Sequence, residues 1–354
     1  MTTSSSAVKP IAPETLTEWV TAAFSRVGLR GAREAAEALV LSDTFGVFTH
    51  GTKLLPGYLA KLRGGGYRPD ATPRVVREGP GWAVIDGDAS LGQVGCRHGV
   101  DVAMEKARNV GVAYVGVTNT GHVGAAGSWA VRAALEGFFA LVVGNDAPSV
   151  AAAGSRGAVL GSNPLAWAAP VPGGDPLFLD IATAAVAGGK VYAAVTRGEP
   201  IPPTWLVDAR GLPTADGALY PHRASLAPMA GHKGFGIGVL AEWLSALLPG
   251  GAMTTQVGSW LFGPPGDPTL HNAGFVVIDV TAIASPEEYG AGMARFAAEV
   301  RGAAPAEGTD RVRLPGDLEW ERRRRALADG ILLPDDVRGK LAEAGRIVGL
   351  EAPV

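Results

Sequence analysis

The sequence predicts an α/β protein in which an all-helical start leads into a core of alternating strands and helices. Three observations predict it. Apolar residues recur at helical spacing through the first sixty or so positions. Short apolar runs at Val112–Val117, Phe138–Val143 and Phe275–Val280 have the length and content of buried strands. Gly (50) and Pro (26) are abundant but not periodic, which excludes a collagen-like chain and calls for many tight loops. At 354 residues and 47% hydrophobic content the chain can bury a sizeable core and is long for one minimal lobe.

Residues 1–9 are Ser/Thr-rich without an apolar centre, so they read as a disordered tail rather than a secretory signal. Pro13 and Glu14 open the first helix. Helices are expected over Glu14–Val27 and Ala32–Phe45, divided at Gly28 and Gly31, and over Leu54–Leu62. The last stops at Gly64-Gly65-Gly66, a helix-ending and flexible signal. Residues 10–100 are therefore assigned to an N-terminal helical lobe. Residues 101–300 form the α/β core, with helices at Val100–Val110 and Ser128–Leu135 around the Val112–Val117 and Phe138–Val143 strands. That order suggests a βαβ unit whose two strands pair in parallel. The strand Phe178–Ile181, helices Ala182–Tyr192, Lys233–Leu248 and Ser285–Val300, and the strand Phe275–Val280 complete it. Residues 301–354 supply two charged C-terminal helices that pack back on the first lobe.

A formal charge of -3 argues against nucleic acid or a polybasic membrane surface as partner. No apolar stretch is long enough to span a bilayer, so the cytoplasm is the expected location. The single cysteine, Cys96, reads as a small buried hydrophobe. His98, His222 and His271 lack companions at metal-ligand spacing and read as structural or surface residues, and no metal is expected. Arg322 to Arg325, flanked by acids, read as a solvated helix face.

Five segments carry candidate chemistry. The loop from Thr120 to Gly127 leaves a strand and opens a helix; Gly124, Ala125 and Ala126 would let backbone amides approach a phosphate, and Asp146 after the next strand could hold a ribose hydroxyl. The glycines are three apart, not in the G-x-G-x-x-G pattern, so a plain tight turn explains the loop equally well. His122 within it, and His50 beside Thr49 before Gly51, are suited to proton transfer near neutral pH, though helix capping also accounts for His50. Ser162 precedes Asn163-Pro164, a turn signal that could also present a polar group to substrate. Asp180-Ile181-Ala182 stands at a strand-to-helix junction where Asp180 caps a helix or touches a cofactor. Lys233-Gly234 opens a helix and could reach a phosphate or carboxylate.

Together, Asp43, Thr49-His50-Gly51, Pro56-Gly57-Tyr58, Gly121-His122-Val123-Gly124, Gly161-Ser162-Asn163-Pro164, Asp180-Ile181-Ala182-Thr183, Gly189-Lys190, Lys233-Gly234-Phe235-Gly236 and Leu314-Pro315-Gly316 occur in an order and spacing that resembles the malate/L-lactate/ureidoglycolate dehydrogenase family. The resemblance runs from about Leu16 to Gly349. It implies a mixed-sheet core unlike the Rossmann fold, NAD or NADP as cofactor, a homodimer and a small-molecule substrate. It implies that His50, with Thr49 beside it, or His122 exchanges a proton with substrate. Gly124, Ala125, Ala126, Asp146, Asp180, Ile181, Ala182, Lys233 and Gly234 would bind cofactor with His122, while Lys53, Leu54, Ser162 and Lys190 would face substrate. Many members place arginine where this chain has Leu54; leucine cannot pair with a carboxylate, and Lys53 is a poor geometric replacement. The usual Thr-Ser pair is Thr183-Ala184 here. The expected substrate is thus bulkier or less anionic than a small 2-oxo acid. A cyclic-imine reductase is the alternative on the same scaffold, although Lys190 is basic where a carboxylate would aid an iminium, and a non-catalytic binding protein is the other.

Overall fold

The computed structural model describes residues 9–353; the expected tail falls mostly on residues 1–8, outside that range. Helices α1 (Pro13–Ser25), α2 (Ala32–Thr44) and α3 (Leu55–Gly64) come first. Strands β1 (Arg74–Gly79) and β2 (Trp82–Ser90), helix α4 (Gly92–Val110), β3 (Val112–Thr120), α5 (Ala126–Leu135) and β4 (Phe138–Gly144) follow. Next are β5 (Val150–Ala151), β6 (Ala158–Leu160), β7 (Leu165–Ala169), β8 (Leu177–Ile181), α6 (Gly188–Thr196), β9 (Leu206–Asp208), β10 (Pro213–Thr214), β11 (Ala224–Leu226) and α7 (His232–Glu242). The chain closes with β12 (His271–Asp279), α8 (Val280–Ile283), α9 (Pro286–Arg301), α10 (Asp317–Asp329) and α11 (Asp335–Val348).

The principal sheet is mixed, in the order β1-β2-β3-β12-β4-β7-β8, and a smaller one runs β10-β9-β11-β5-β6. In the principal sheet only β2 and β3 pair in parallel. The expected parallel pairing of the Val112–Val117 and Phe138–Val143 strands is not found. β12 lies between them, antiparallel to both, with Phe275 opposite Val115 on one side and Val142 on the other. A central strand is screened from water on both faces, and β12 is buried from His271 through Phe275. One of its covers is backbone: a Cβ on Gly274 would lie 2.7 Å from the Leu244 carbonyl oxygen, and one on Gly116 2.5 Å from Pro249. These two register partners are glycine because the segment after α7 rests directly on the sheet.

Helices α4 and α5 bury Cys96, Val100, Met104, Trp129 and Val131 against Val115, Val142, Ala166 and Phe275. Full burial of each large side chain stabilises by about 1.5–3 kcal/mol. The helical lobe has its own core, in which Leu16, Phe24, Leu39, Tyr58 and Leu59 meet Ile331, Val337 and Leu341 of the C-terminal segment. Residues 74–100 serve both regions: β1 and β2 extend the principal sheet and α4 covers it from Gly92 onward, while Leu91 and Val94 pack on the core of the helical lobe. Two other elements are shorter than their apolar content suggested. Residues 182–187 are irregular ahead of α6, and α7 gives way at Trp243 to one wider π turn. The arginine run is not simply solvated, since Arg323 donates to Thr44 Oγ1 (2.9 Å) and Arg324 pairs with Asp175.

Candidate active site

Between the helical lobe and the carboxyl-side loops of β3, β4 and β8 lies a cleft of about 1160 Å³. Thr49, His50, Lys53, Leu54, His122, Gly124, Ala125, Asp146, Ser162, Asp180 and Ala182 line it. The side chains of Lys190 and Lys233 are exposed outside it, and Gly234, Ala126 and Ile181 do not line it either. Their spacing suggested function locally, but spacing does not encode exposure, and both lysines are solvent-facing.

His50 sits on a single 3-10 turn, Phe48–His50, after α2 has ended. Its Nδ1 lies 3.1 Å from Thr49 Oγ1. The turn is anchored from beneath by buried Asp43, whose Oδ2 accepts from the Thr52 N–H (3.1 Å) and the Thr52 hydroxyl (2.6 Å). Asp43 Oδ1 has no partner. Burial, only partly offset by the Thr52 bonds, pushes the Asp43 carboxyl up to about 7. Position 51 must be glycine, because a Cβ there would stand 1.8 Å from Asp43 Oδ1. The half-buried His50 ring is shifted toward its neutral form by enclosure, against which the Asp180 and Asp146 carboxylates favour the cation.

His122 lies 6.0 Å from His50, centroid to centroid, in a more enclosed setting. It is only 8% exposed. Its ring stacks on Trp260 at 4.6 Å and 17°, and the His271 ring stands nearly perpendicular to it, 5.9 Å away centroid to centroid. Its Nδ1 is 2.8 Å from the Tyr58 hydroxyl, which accepts in turn from Gln93 Nε2 at 3.4 Å. Burial keeps the Tyr58 phenol protonated, and which partner donates across this bond follows the His122 tautomer. Burial drives the His122 pKa down to about 3; Asp146 opposes that shift, while His271 and His50 reinforce it.

Asp146 follows β4 and accepts from His271 Nε2 at 3.0 Å. Burial alone would raise its pKa, but the His271 bond and the neighbouring imidazoles hold it below the ordinary carboxylate range. His271 is wholly buried at the start of β12, with Nδ1 2.9 Å from Thr269 Oγ1. Local spacing marks His271 only as a structural or surface residue, since its partner Asp146 lies over a hundred positions away. Behind Asp146, buried Glu242 accepts from Asn163 Nδ2 (2.7 Å) and the Thr254 N–H (2.9 Å), fixing the Ser162-Asn163 turn. Trp260 and Glu242 carried no local signal either.

Asp180 caps a helix, though not the one that follows it in sequence. Its Oδ2 accepts from the Gly127 N–H at 2.8 Å, in the first turn of α5. A carboxylate therefore already occupies the helix end where a phosphate was expected. By contrast, α6 starts at Gly188 and Gly189 on the cleft wall, with no side chain capping it and nothing within 4 Å of a Cβ at Gly189.

The family profile described as malate/L-lactate dehydrogenase matches residues 11–342. Ureidoglycolate dehydrogenase (NAD(+)) of Escherichia coli K12 is 33% identical over 332 residues, 92% of this chain and 93% of that protein. The solved sulfolactate dehydrogenase from Methanocaldococcus jannaschii superposes with a TM-score of 0.89 at 29% identity, over 97% of this chain and 98% of the other. Delta1-piperideine-2-carboxylate reductase from Pseudomonas syringae pv. tomato superposes with a TM-score of 0.84 at 28% identity, over 97% of this chain and all of the other.

Proposed function

This chain belongs to the malate/L-lactate dehydrogenase family, and on that premise we propose that it interconverts an alcohol and its carbonyl compound with NAD or NADP, His50 exchanging the proton with substrate. The observation that carries this reading is the convergence of His50 and His122 on one cleft wall, 6.0 Å apart. The cleft is large enough to admit a dinucleotide beside a small substrate. Gly189 at the start of α6, with open space where a side chain would stand, suits close approach of a pyrophosphate. We assign Gly124, Ala125, Asp146, Asp180, Ala182, Gly188 and Gly189 to the cofactor, and leave Lys190, Lys233 and Gly234 out of the site. The nicotinamide supplies or accepts the hydride.

The protein's own part is positioning and proton handling. We assign His122, neutral across the physiological range, the tautomer in which Tyr58 donates to Nδ1, so that its Nε2–H is a fixed hydrogen-bond donor to the substrate oxygen. His50 is less enclosed, and two carboxylates favour its cation, so it is the better carrier of an exchangeable proton. Thr49 orients its ring.

The substrate is bulkier or less anionic than a small 2-oxo acid. Leu54 lines the cleft, and each lysine or arginine there is already engaged: Lys53 with Asp336 (2.6 Å), Arg313 with Asp310 (2.8 Å) and Lys340 with Glu343 (2.6 Å). A substrate carboxylate would have to compete for them. A cyclic imine is the second reading, favoured by the likeness to the piperideine-carboxylate reductase. We assign homodimer formation to the apolar strip Val239, Leu240, Trp243, Leu247 and Leu248, each close to half exposed, and place the enzyme in the cytoplasm.

A screen with NADH and NADPH over 2-oxo acids, neutral ketones and cyclic imines tests the reading. Turnover should favour a bulky neutral carbonyl or imine, and Leu54→Arg should shift preference toward pyruvate and oxaloacetate. Strong pyruvate turnover that Leu54→Arg does not improve would refute the substrate class. No turnover with any member would refute the dehydrogenase activity.

A further inference from the structure

We infer that Trp260 is the specificity-determining wall of the cleft, selecting substrates with an apolar group of ring size, and that Lys61 is a positioning residue that holds it there. The inference deepens the proposed dehydrogenase reading and rests on it for the identity of the site.

Trp260 belongs to the connection between α7 and β12. Its indole lies flat against His122 and 5.2 Å from the Tyr58 ring, and Leu261 lines the cleft beside it. Gly57 makes room: a Cβ there would stand 3.1 Å from Cζ3 of the indole. The cleft's lining cations, Lys53, Arg313 and Lys340, are each ion-paired, and the surface next to His122 is the apolar aromatic face of Trp260.

The connection is fastened at its far end. Lys61 is 2% exposed, yet among the described residues no carboxylate pairs with it; its ammonium donates to the backbone carbonyls of Pro264 (2.8 Å) and Asp267 (3.0 Å). Burying an ammonium is costly unless its donors are satisfied, so those carbonyls must stay in place. The Gly66 N–H donates to the Pro265 carbonyl at 3.1 Å. A Cβ on Gly64 would lie 2.6 Å from Pro265, and one on Gly66 2.5 Å from its carbonyl oxygen. The glycine triplet read from sequence as a flexible helix stop is therefore a seat for residues 264–267. Lysine and seat together fix the loop, so the indole is a standing wall.

The test measures phenylpyruvate against pyruvate on the full-length enzyme with nicotinamide dinucleotide present, both as calorimetric affinity and as turnover. Wild type should prefer phenylpyruvate in both. Trp260→Ala should lower that preference roughly tenfold or more, the scale of apolar discrimination in a pocket. Trp260→Phe should retain most of it. Lys61→Met should lower it too, and Gly64→Ala, which unseats the loop while keeping the lysine, should do the same. The inference is overturned if wild type binds the two probes equally, or not at all, or if Trp260→Ala leaves their ratio unchanged while turnover persists. Selective binding that Trp260→Ala abolishes, without turnover, would uphold the wall and remove the dehydrogenase reading instead.

Discussion

The two histidines that face the cleft are held in opposite ways. His122 is packed between aromatic rings, bonded through its backbone and Nδ1, and kept neutral by burial. His50 stands on one 3-10 turn, half-buried, with a neighbouring hydroxyl and two carboxylates in range. A ring fixed on all sides can point a hydrogen bond but resists changing charge. A ring on a short turn can change charge, provided the turn itself is pinned. Asp43 and Gly51 do the pinning.

The sharpest way to break this contrast is to remove each imidazole. His50→Ala should lower kcat by about 10²–10⁴, the usual worth of a positioned proton carrier. His122→Asn should cost less in kcat and act mainly on KM, measured with the best substrate from the screen. Equal losses would erase the division of labour.

A smaller effect tests the pin. Gly51→Ala places a methyl on Asp43 Oδ1 and should destabilise by about 3 kcal/mol in urea unfolding. Gly189→Ala, with open space around it, should be close to neutral in stability. Comparable unfolding midpoints for the two variants would mean that the turn is not locked as described.

The subtlest consequence is in pH. Asp43 has its folded pKa raised from 3.8 to about 7, so its contribution is full below pH 3.8 and is lost as pH rises through 7. His122 has its folded pKa lowered from 6.5 to about 3 by favouring the neutral ring, so stability drops as pH falls below 6.5. Between those limits the two slopes oppose, each about 1.4 kcal/mol per pH unit. Asp43→Asn should therefore lose stability on acidification from pH 6.5, and His122→Asn should lose it on going from pH 4 toward 6.5, each relative to wild type. Denaturant unfolding at three pH values measures both slopes, and parallel profiles for the three proteins would contradict the assignment.

What was legible in the sequence shares one property: it was local. Thr49-His50-Gly51, Gly121-His122 and Asp180-Ile181-Ala182 pair a reactive or capping side chain with small residues at the end of an element, and all three reach the cleft. Trp260, His271 and Glu242 acquire their roles from partners far along the chain, so no window around them differs from ordinary core. Sheet order is also a long-range property. The βαβ-like run from residue 112 to 143 gave no sign of the strand that separates its two halves. β1 is a different case: Arg74, Val75, Val76, Arg77 and Glu78 are all exposed and show no apolar alternation, which hides a strand.

The position of β12 also bears on biosynthesis. β3 and β4 leave the ribosome long before the strand that must lie between them. Until then a growing chain has two apolar edges free to zip together in a wrong parallel union, which must reopen to admit the latecomer. Such a protein should reach its native form slowly after release and be prone to clump when expressed fast, and a holdase chaperone acting on chains stalled before residue 271 would relieve both.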